Sequence, residues 1–378
     1  MTTETRSATR LLAVDNLRVV LTALVVIHHV AVTYGNIPVW FYVEPARDPS
    51  GLALDILVTL NQAFFMGLFF LVSGFFSPGS HDRKGGRAFV RDRLVRLGIP
   101  LLVFVVLLRP LVTLPQYLAQ GRDMPYAEFY LRTWDPGPMW FAEVLLVFAL
   151  AYALWRRMRA GRDRTPEGGP EGAPEVGPEV TARRSPPSVR SLVLFAAGLA
   201  AVTFLWRLAV PTGTYVPFLG LPSPDYLPQY VAMFAAGTVA FRRGWFESLP
   251  RRTGRLGFVI AAVAVAVPLP LSVLTTGAPS WAATALWQSF FAVGLIAGLV
   301  VLFRERFDGQ GPLGRFLSAH AYTVYVVHPI VLVGVAVALR GLEAAAVVKF
   351  ALVTAVSLPL CWGLAYLVRS IPGARRVL

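Results

Sequence analysis

Apolar residues run along this chain in ten blocks, and polar residues collect between them. The blocks cover 11–33, 57–77, 97–114, 139–155, 191–210, 226–241, 256–274, 281–303, 321–339 and 345–367. A helix rises 1.5 Å per residue, so about 20 apolar residues cross a hydrocarbon layer ~30 Å thick. The fourth and sixth blocks are short for a span, and Pro110 interrupts the third. The pattern predicts an all-α, polytopic integral membrane bundle of about ten transmembrane helices.

The polar connections alternate in charge. The 78–96 connection carries six Arg or Lys residues, and basic clusters recur in 156–190, in 242–255 and after residue 368. The connections between these are sparse in Arg and Lys. Cytoplasmic loops of membrane proteins carry the basic excess, so both termini are expected in the cytoplasm. The first block is too long and too charged for a cleaved leader. Residues 160–188, which include "RTPEGGPEGAPEVGPEVTARRSPP", are rich in Pro, Gly and Glu. Such a composition cannot bury a core, so it reads as a disordered cytoplasmic linker within a single membrane domain spanning 1–378.

Composition agrees with this picture. The 378 residues are 56% hydrophobic and only 15% charged, against about a quarter charged in a soluble domain. The net charge of +14 sits in the loop clusters, which argues for a lipid bilayer and against nucleic acid as partner. Cys361 is the sole cysteine, which excludes an internal disulfide and a cysteine-based metal site. Lysine occurs only at Lys84 and Lys349; the arginine bias points to a GC-rich bacterial genome, hence a bacterial cytoplasmic membrane.

Ionisable groups at membrane depth are costly and mark functional candidates. Arg18 and His29 are eleven residues apart on the first block, close to three helical turns, so they share a face about 16 Å apart along the axis. Asp15 and Thr22 fall near the same stripe, with Asp15 and Arg18 placed to form an ion pair; His28 points away. Glu143, one turn into the fourth block, reaches a depth similar to His29. A carboxylate beside an imidazole would orient it as a general base. Asn61, Gln62, Arg207 and Gln229 fall near the same outer side, and His328 lies in the ninth block after Tyr322 and Tyr325. Arg93 and Arg96 stand i, i+3 where the third block begins, a spacing suited to clamping phosphate. Each has a plainer reading: helix–helix hydrogen bonding for the histidines, loop charge for Arg93 and Arg96, snorkelling to headgroups for Arg207.

These segments together resemble acyltransferase family 3. The resemblance is carried by Arg18-x10-His29, "FFLVSGFF", Arg93-x-x-Arg96 followed by "LGIP", "PMWFAEVLLVF", "YVAMFAAGTVAFRRGW" and "SAHAYTVYVVHP". It covers nearly the whole chain and is most similar to the glucans biosynthesis protein C branch, associated with succinylation of periplasmic glucans. The Pro/Gly/Glu-rich insert departs from that pattern.

The resemblance implies a ten-helix membrane O-acyltransferase. It would move an acetyl, succinyl or similar group from cytoplasmic acyl-CoA to a hydroxyl of an extracytoplasmic glycan or a small metabolite. Carried onto this chain, the essential histidine is His29, its companion Arg18, and the donor clamp Arg93 and Arg96. Glu143 is expected to assist His29, and Asn61, Gln62, Arg207 or His328 to serve the acceptor or the oxyanion. The imidazole would act as base or be acylated transiently. Acyl-CoA is a substrate; no permanently bound cofactor or metal is expected. The rival reading is a secondary transporter of a small anion or envelope precursor, with helices broken at Pro110 or Pro268.

Overall fold

The first apolar block folds as a 23-residue helix, α1 (Leu12–Tyr34), in the computed structural model, which describes residues 11–37, 39–121, 123–162, 186–216 and 220–378. Every other block is helical too. α2 is Gly51–Lys84, α3 is Gly86–Ala119, α4 is Trp140–Arg162 and α5 is Val189–Ala209. α6 is Leu227–Arg243, α7 is Arg251–Leu274, α8 is Gly277–Arg306, α9 is Pro312–Ala338 and α10 is Ala346–Ser370. Among the described residues, nine helices are long and apolar enough to cross a membrane. The remaining one, α6, has 17 residues, as its short block foretold. The expected linker overlaps the end of α4; its residues 163–185 lie outside the described ones.

α3 is widened at two turns next to its prolines. π-helical turns at Leu94–Gly98 and Phe104–Leu108 precede Pro100 and Pro110. A proline has no N–H and its ring crowds the carbonyl four residues back, so the widened turn absorbs the clash. The carbonyls left over are taken by tyrosines: Tyr322 donates to Arg96 O at 2.5 Å, and Tyr130 to Val105 O at 2.5 Å. Hydroxyl groups thus complete the backbone hydrogen bonding that lipid cannot supply.

The closest helix pairs are α2 with α6, α7 with α8, and α9 with α10; α1 packs on α2, α8, α9 and α10. Small residues permit the first contact. A Cβ on Gly74 would lie 2.1 Å from Phe234 O, and one on Gly237 would lie 2.1 Å from Leu71 O. Backbones in that contact touch directly, the usual device where lipid gives no hydrophobic drive.

One end of the bundle is basic. There Asp82 joins Arg156 of α4 at 3.1 Å and Arg242 of α6 at 2.8 Å, and Asn16 bridges to the α8–α9 connection through Phe307 O and Gly309 O. At the opposite end, Asp48 accepts from the backbone N–H of Ala346 at 2.8 Å and Lys349 pairs with Glu44 at 2.5 Å. Those bonds fasten the α1–α2 connection over the start of α10.

Candidate active site

Arg18, Thr22, Val25, His29 and Val32 recur at intervals of four, three, four and three along α1, and all five line one cavity of about 890 Å³. The stripe expected from the helical period is therefore a cavity wall. At the basic end Arg18 meets Asp15 at 3.5 Å. Arg93, Arg96, Arg369 and Arg375 complete a mouth of five arginines. Arg96 is partly held by Asp92 at 3.2 Å, and the Arg93 guanidinium lies 5.1 Å over the Phe89 ring.

His29 closes the far part of that wall. Its Nδ1 donates to Val25 O at 2.9 Å. A carbonyl only accepts, so Nδ1 carries the proton and Nε2 keeps the basic lone pair. The ring stacks on Trp40 at 3.9 Å and on His328 at 5.1 Å, with His28 edge-on at 5.5 Å. His328 is fully buried. Its Nδ1 donates to Tyr325 O at 2.7 Å, and its Nε2 has no hydrogen-bond partner. His28, expected to point away, also lines this cavity; it sits against Asn61, 3.3 Å away, and stacks on Phe65, joining α1 to α2.

Depth placed Glu143 beside His29, but the imidazole has no contact with it. Ala142 lines the cavity while Glu143 does not. The orientation expected from a carboxylate comes instead from the Val25 carbonyl and the Trp40 face. Helix depth fixes height in the bundle but not direction around the axis, and that missing angle accounts for the difference.

The other candidates divide. Gln62 is on the wall and donates to Ser223 Oγ at 3.3 Å and Tyr230 Oη at 3.4 Å. Asn61 is buried behind it, donating to Leu24 O at 3.4 Å, and Gln229 donates to Ala63 O at 2.8 Å. Arg207 does not snorkel: it is buried in an ion pair with Asp225 at 2.9 Å and covers Tyr226 at 5.1 Å. Asp225 itself lines the cavity. Burial raises its carboxyl above the ordinary 3.8, and the Arg207 charge opposes that rise.

Several wall residues escaped the sequence reading. Trp40 stands in a loop without periodicity. Arg369 and Arg375 looked like ordinary loop charge. Asp225 was visible as an acid in a loop poor in Arg and Lys. Arg109 carried the clearest missed signal, a charge inside the third apolar block; it is fully buried and helps line a second cavity of about 260 Å³. His29 belongs to the walls of both cavities.

The arrangement offers a basic nitrogen at the head of a long cavity whose other end is cationic. Residues 11–366 match the model of an acyltransferase domain family. No curated protein and no solved structure matches the chain. A polytopic helical membrane protein matched over nearly its whole length, the chain belongs to acyltransferase family 3.

Proposed function

We propose that this protein transfers an acyl group from cytoplasmic acyl-CoA to a hydroxyl presented on the other side of a bacterial cytoplasmic membrane. The observation that carries the reading is the single cavity joining Arg18, Arg93 and Arg96 to His29. Both termini would then face the cytoplasm with the basic end.

In this reading the guanidinium groups of Arg93, Arg96 and Arg18 hold the donor's phosphates through charge-assisted hydrogen bonds. The pantetheine arm follows the α1 face for about 16 Å, the rise between Arg18 and His29. His29 Nε2 takes the proton of the acceptor hydroxyl as its oxygen attacks the thioester carbonyl. The C–O bond forms, the C–S bond breaks, and the imidazolium returns its proton to the departing thiolate. The Val25 carbonyl stabilises the imidazolium and fixes its tautomer. Gln62, the candidate amide on the cavity wall, would donate to the oxyanion by giving up one of its long bonds to Ser223 and Tyr230. The role first given to Glu143 passes to Val25 and Trp40. Within the family's range, succinyl transfer to an extracytoplasmic glucan is the finer form of the proposal, and acetyl transfer to a small metabolite its nearest variant.

The test is acyl transfer by the purified full chain, using radiolabelled succinyl-CoA and acetyl-CoA with a panel of glucans and small alcohols. His29→Ala, inserted and folded, should lose the labelled product. Equal product from His29→Ala removes the imidazole from the chemistry. Movement of an unmodified solute across vesicles, with no covalent product, would favour the secondary transporter.

A further inference from the structure

The second cavity adjoins the first at His29, and the two share Val39, Pro138, Trp140 and Pro222 as well. Its volume is about 260 Å³, and its wall includes His29, Arg109, Gln116, Asp135, Trp140 and Tyr215. It is separate from the arginine mouth: none of Arg18, Arg93, Arg96, Arg369 and Arg375 belongs to it. Its polar groups come from α3, from the segment leading into α4, from His29 of α1 and from Tyr215 in the α5–α6 connection.

Arg109 is held firmly but incompletely. It is fully buried, and its guanidinium donates to Thr133 O and, at 3.4 Å, to Tyr130 O. It lies 4.5 Å over the Tyr130 ring. Asp135 stands 3.7 Å away, too far for a close hydrogen bond. Arg109 Nε is buried with no hydrogen-bond partner, and leaving such a donor unsatisfied is costly. Asp135 Oδ1 accepts from the Gly137 N–H at 2.6 Å.

Charge decides what such a chamber holds. Arg109 and Asp135 already offset each other, so a carboxylate or ammonium ligand would bring an uncompensated charge beside them. A neutral hydroxylated ligand adds none. It accepts from the Gln116 amide and donates to Asp135, whose side chain is 26% exposed, while the fully buried Arg109 stands behind Asp135 and balances its charge. Trp140, Tyr215 and Trp40 supply aromatic faces for its C–H surface. The volume suits one ring-sized group rather than an extended polymer.

We infer that this chamber is the acceptor subsite, built for a neutral polyhydroxylated group of about one sugar ring, with Asp135 and Gln116 as its specificity-determining residues and Arg109 as the buried charge that positions Asp135. The inference rests on the acyl-transfer reading for its role, though not for its ligand. Donor and acceptor then meet at the imidazole: the thioester from the long cavity, the hydroxyl from the short one.

The test is binding of methyl α-glucoside, with succinate as the charged comparison, to the purified full chain in lipid nanodiscs. Gln116 is exposed, so Gln116→Trp should fill the chamber without unfolding the bundle. Glucoside affinity is expected to fall about tenfold or more in Gln116→Trp and in Asp135→Asn, the scale of one lost hydrogen bond to a charged group. Coenzyme A affinity should stay unchanged in Gln116→Trp. Wild-type protein that binds no glucoside, or a Gln116→Trp variant that binds it normally, overturns the assignment. So does Gln116-dependent binding of succinate in preference to glucoside. If glucoside binds in a Gln116-dependent way while no acyl-CoA supports transfer to any hydroxyl, the chamber stands and the acyl-transfer reading falls.

Discussion

The His29 and Trp40 rings lie face to face, 3.9 Å between centroids and 25° from parallel. With Nδ1 bonded to Val25 O, the stack leaves the imidazole little freedom to turn. A base held in one orientation has its proton transfer pre-aligned, and small misplacements cost large factors in rate. Trp40→Leu should therefore lower kcat by roughly tenfold to a hundredfold while coenzyme A affinity and thermal stability hold. Trp40→Phe should restore most of the rate, since a flat face remains. His29→Ala should lose more, on the order of 10²–10⁴. A Trp40→Leu enzyme of normal kcat would show that the stack does not position the base.

The arginine mouth makes a prediction about order. Arg96 is 59% exposed and partly neutralised by Asp92, so screening by water and salt weakens its grip on an anion. Arg93 has a buried Nε without a partner and packs over Phe89. Arg93→Ala should weaken coenzyme A binding by roughly ten- to a hundredfold, the value of one charge-assisted bond, and Arg96→Ala by less. Titrations at several salt concentrations check both, since each lost contact should also flatten the salt dependence. Equal or reversed losses would overturn this order, and an unchanged affinity in Arg93→Ala would put Arg93 outside the donor site.

How much of this was readable beforehand depends on what a period can encode. Arg18, Thr22 and His29 share a helix, and 3.6 residues per turn fixes their common face without knowledge of any neighbour. The ten helices followed for the same reason: length and apolarity are local properties. The pairing of Glu143 with His29 needed the rotation of α4 about its own axis, which no spacing within α1 contains. His328 was visible as an intramembrane histidine, but its stack on His29 is a relation between α1 and α9. Trp40 lies in a connection where no period applies. Arg109 was locally legible as a charge in an apolar block, yet its partners come from the segment that precedes α4.

Arg207 and Asp225 are 4% and 2% exposed at their side chains and 2.9 Å apart. Removing one partner leaves the other charged, buried and alone, at a cost of about 3–5 kcal/mol. Arg207→Met and Asp225→Leu should each destabilise the protein on that scale. The double variant should recover most of the loss, because two apolar side chains leave no orphan charge. Unfolding of all four proteins in one detergent measures the coupling. Additive losses would mean that the pair is not energetically coupled.

Close helix packing gives a cleaner contrast. The Cβ of Gly237→Val would sit 2.1 Å from Leu71 O, a backbone atom that cannot swing away, whereas a Cβ on Gly198 meets nothing within 4 Å. Gly237→Val should separate α2 from α6 and lower the melting temperature sharply. Gly198→Ala, in the middle of α5, should be neutral or stabilise by up to about 1 kcal/mol through helix propensity. Comparable melting temperatures for the two variants would contradict the direct backbone contact.

Asp48 supplies a pH signature at the opposite end of the bundle. Its carboxylate accepts hydrogen bonds from Ser50 and from the Ala346 N–H at the start of α10. Those bonds, Ser50 first, hold its pKa below the ordinary 3.8. A depressed pKa in the folded state means the unfolded chain binds the proton more readily. The stabilisation is then fully present above about 3.8 and fades as pH falls below it through the folded value. Amide exchange in the first turn of α10 should accelerate over that acid window and be insensitive to pH above it, once the intrinsic chemistry is divided out. Asp48→Asn should exchange faster at neutral pH and lose the acid step. If the step survives in Asp48→Asn, another carboxylate fastens α10.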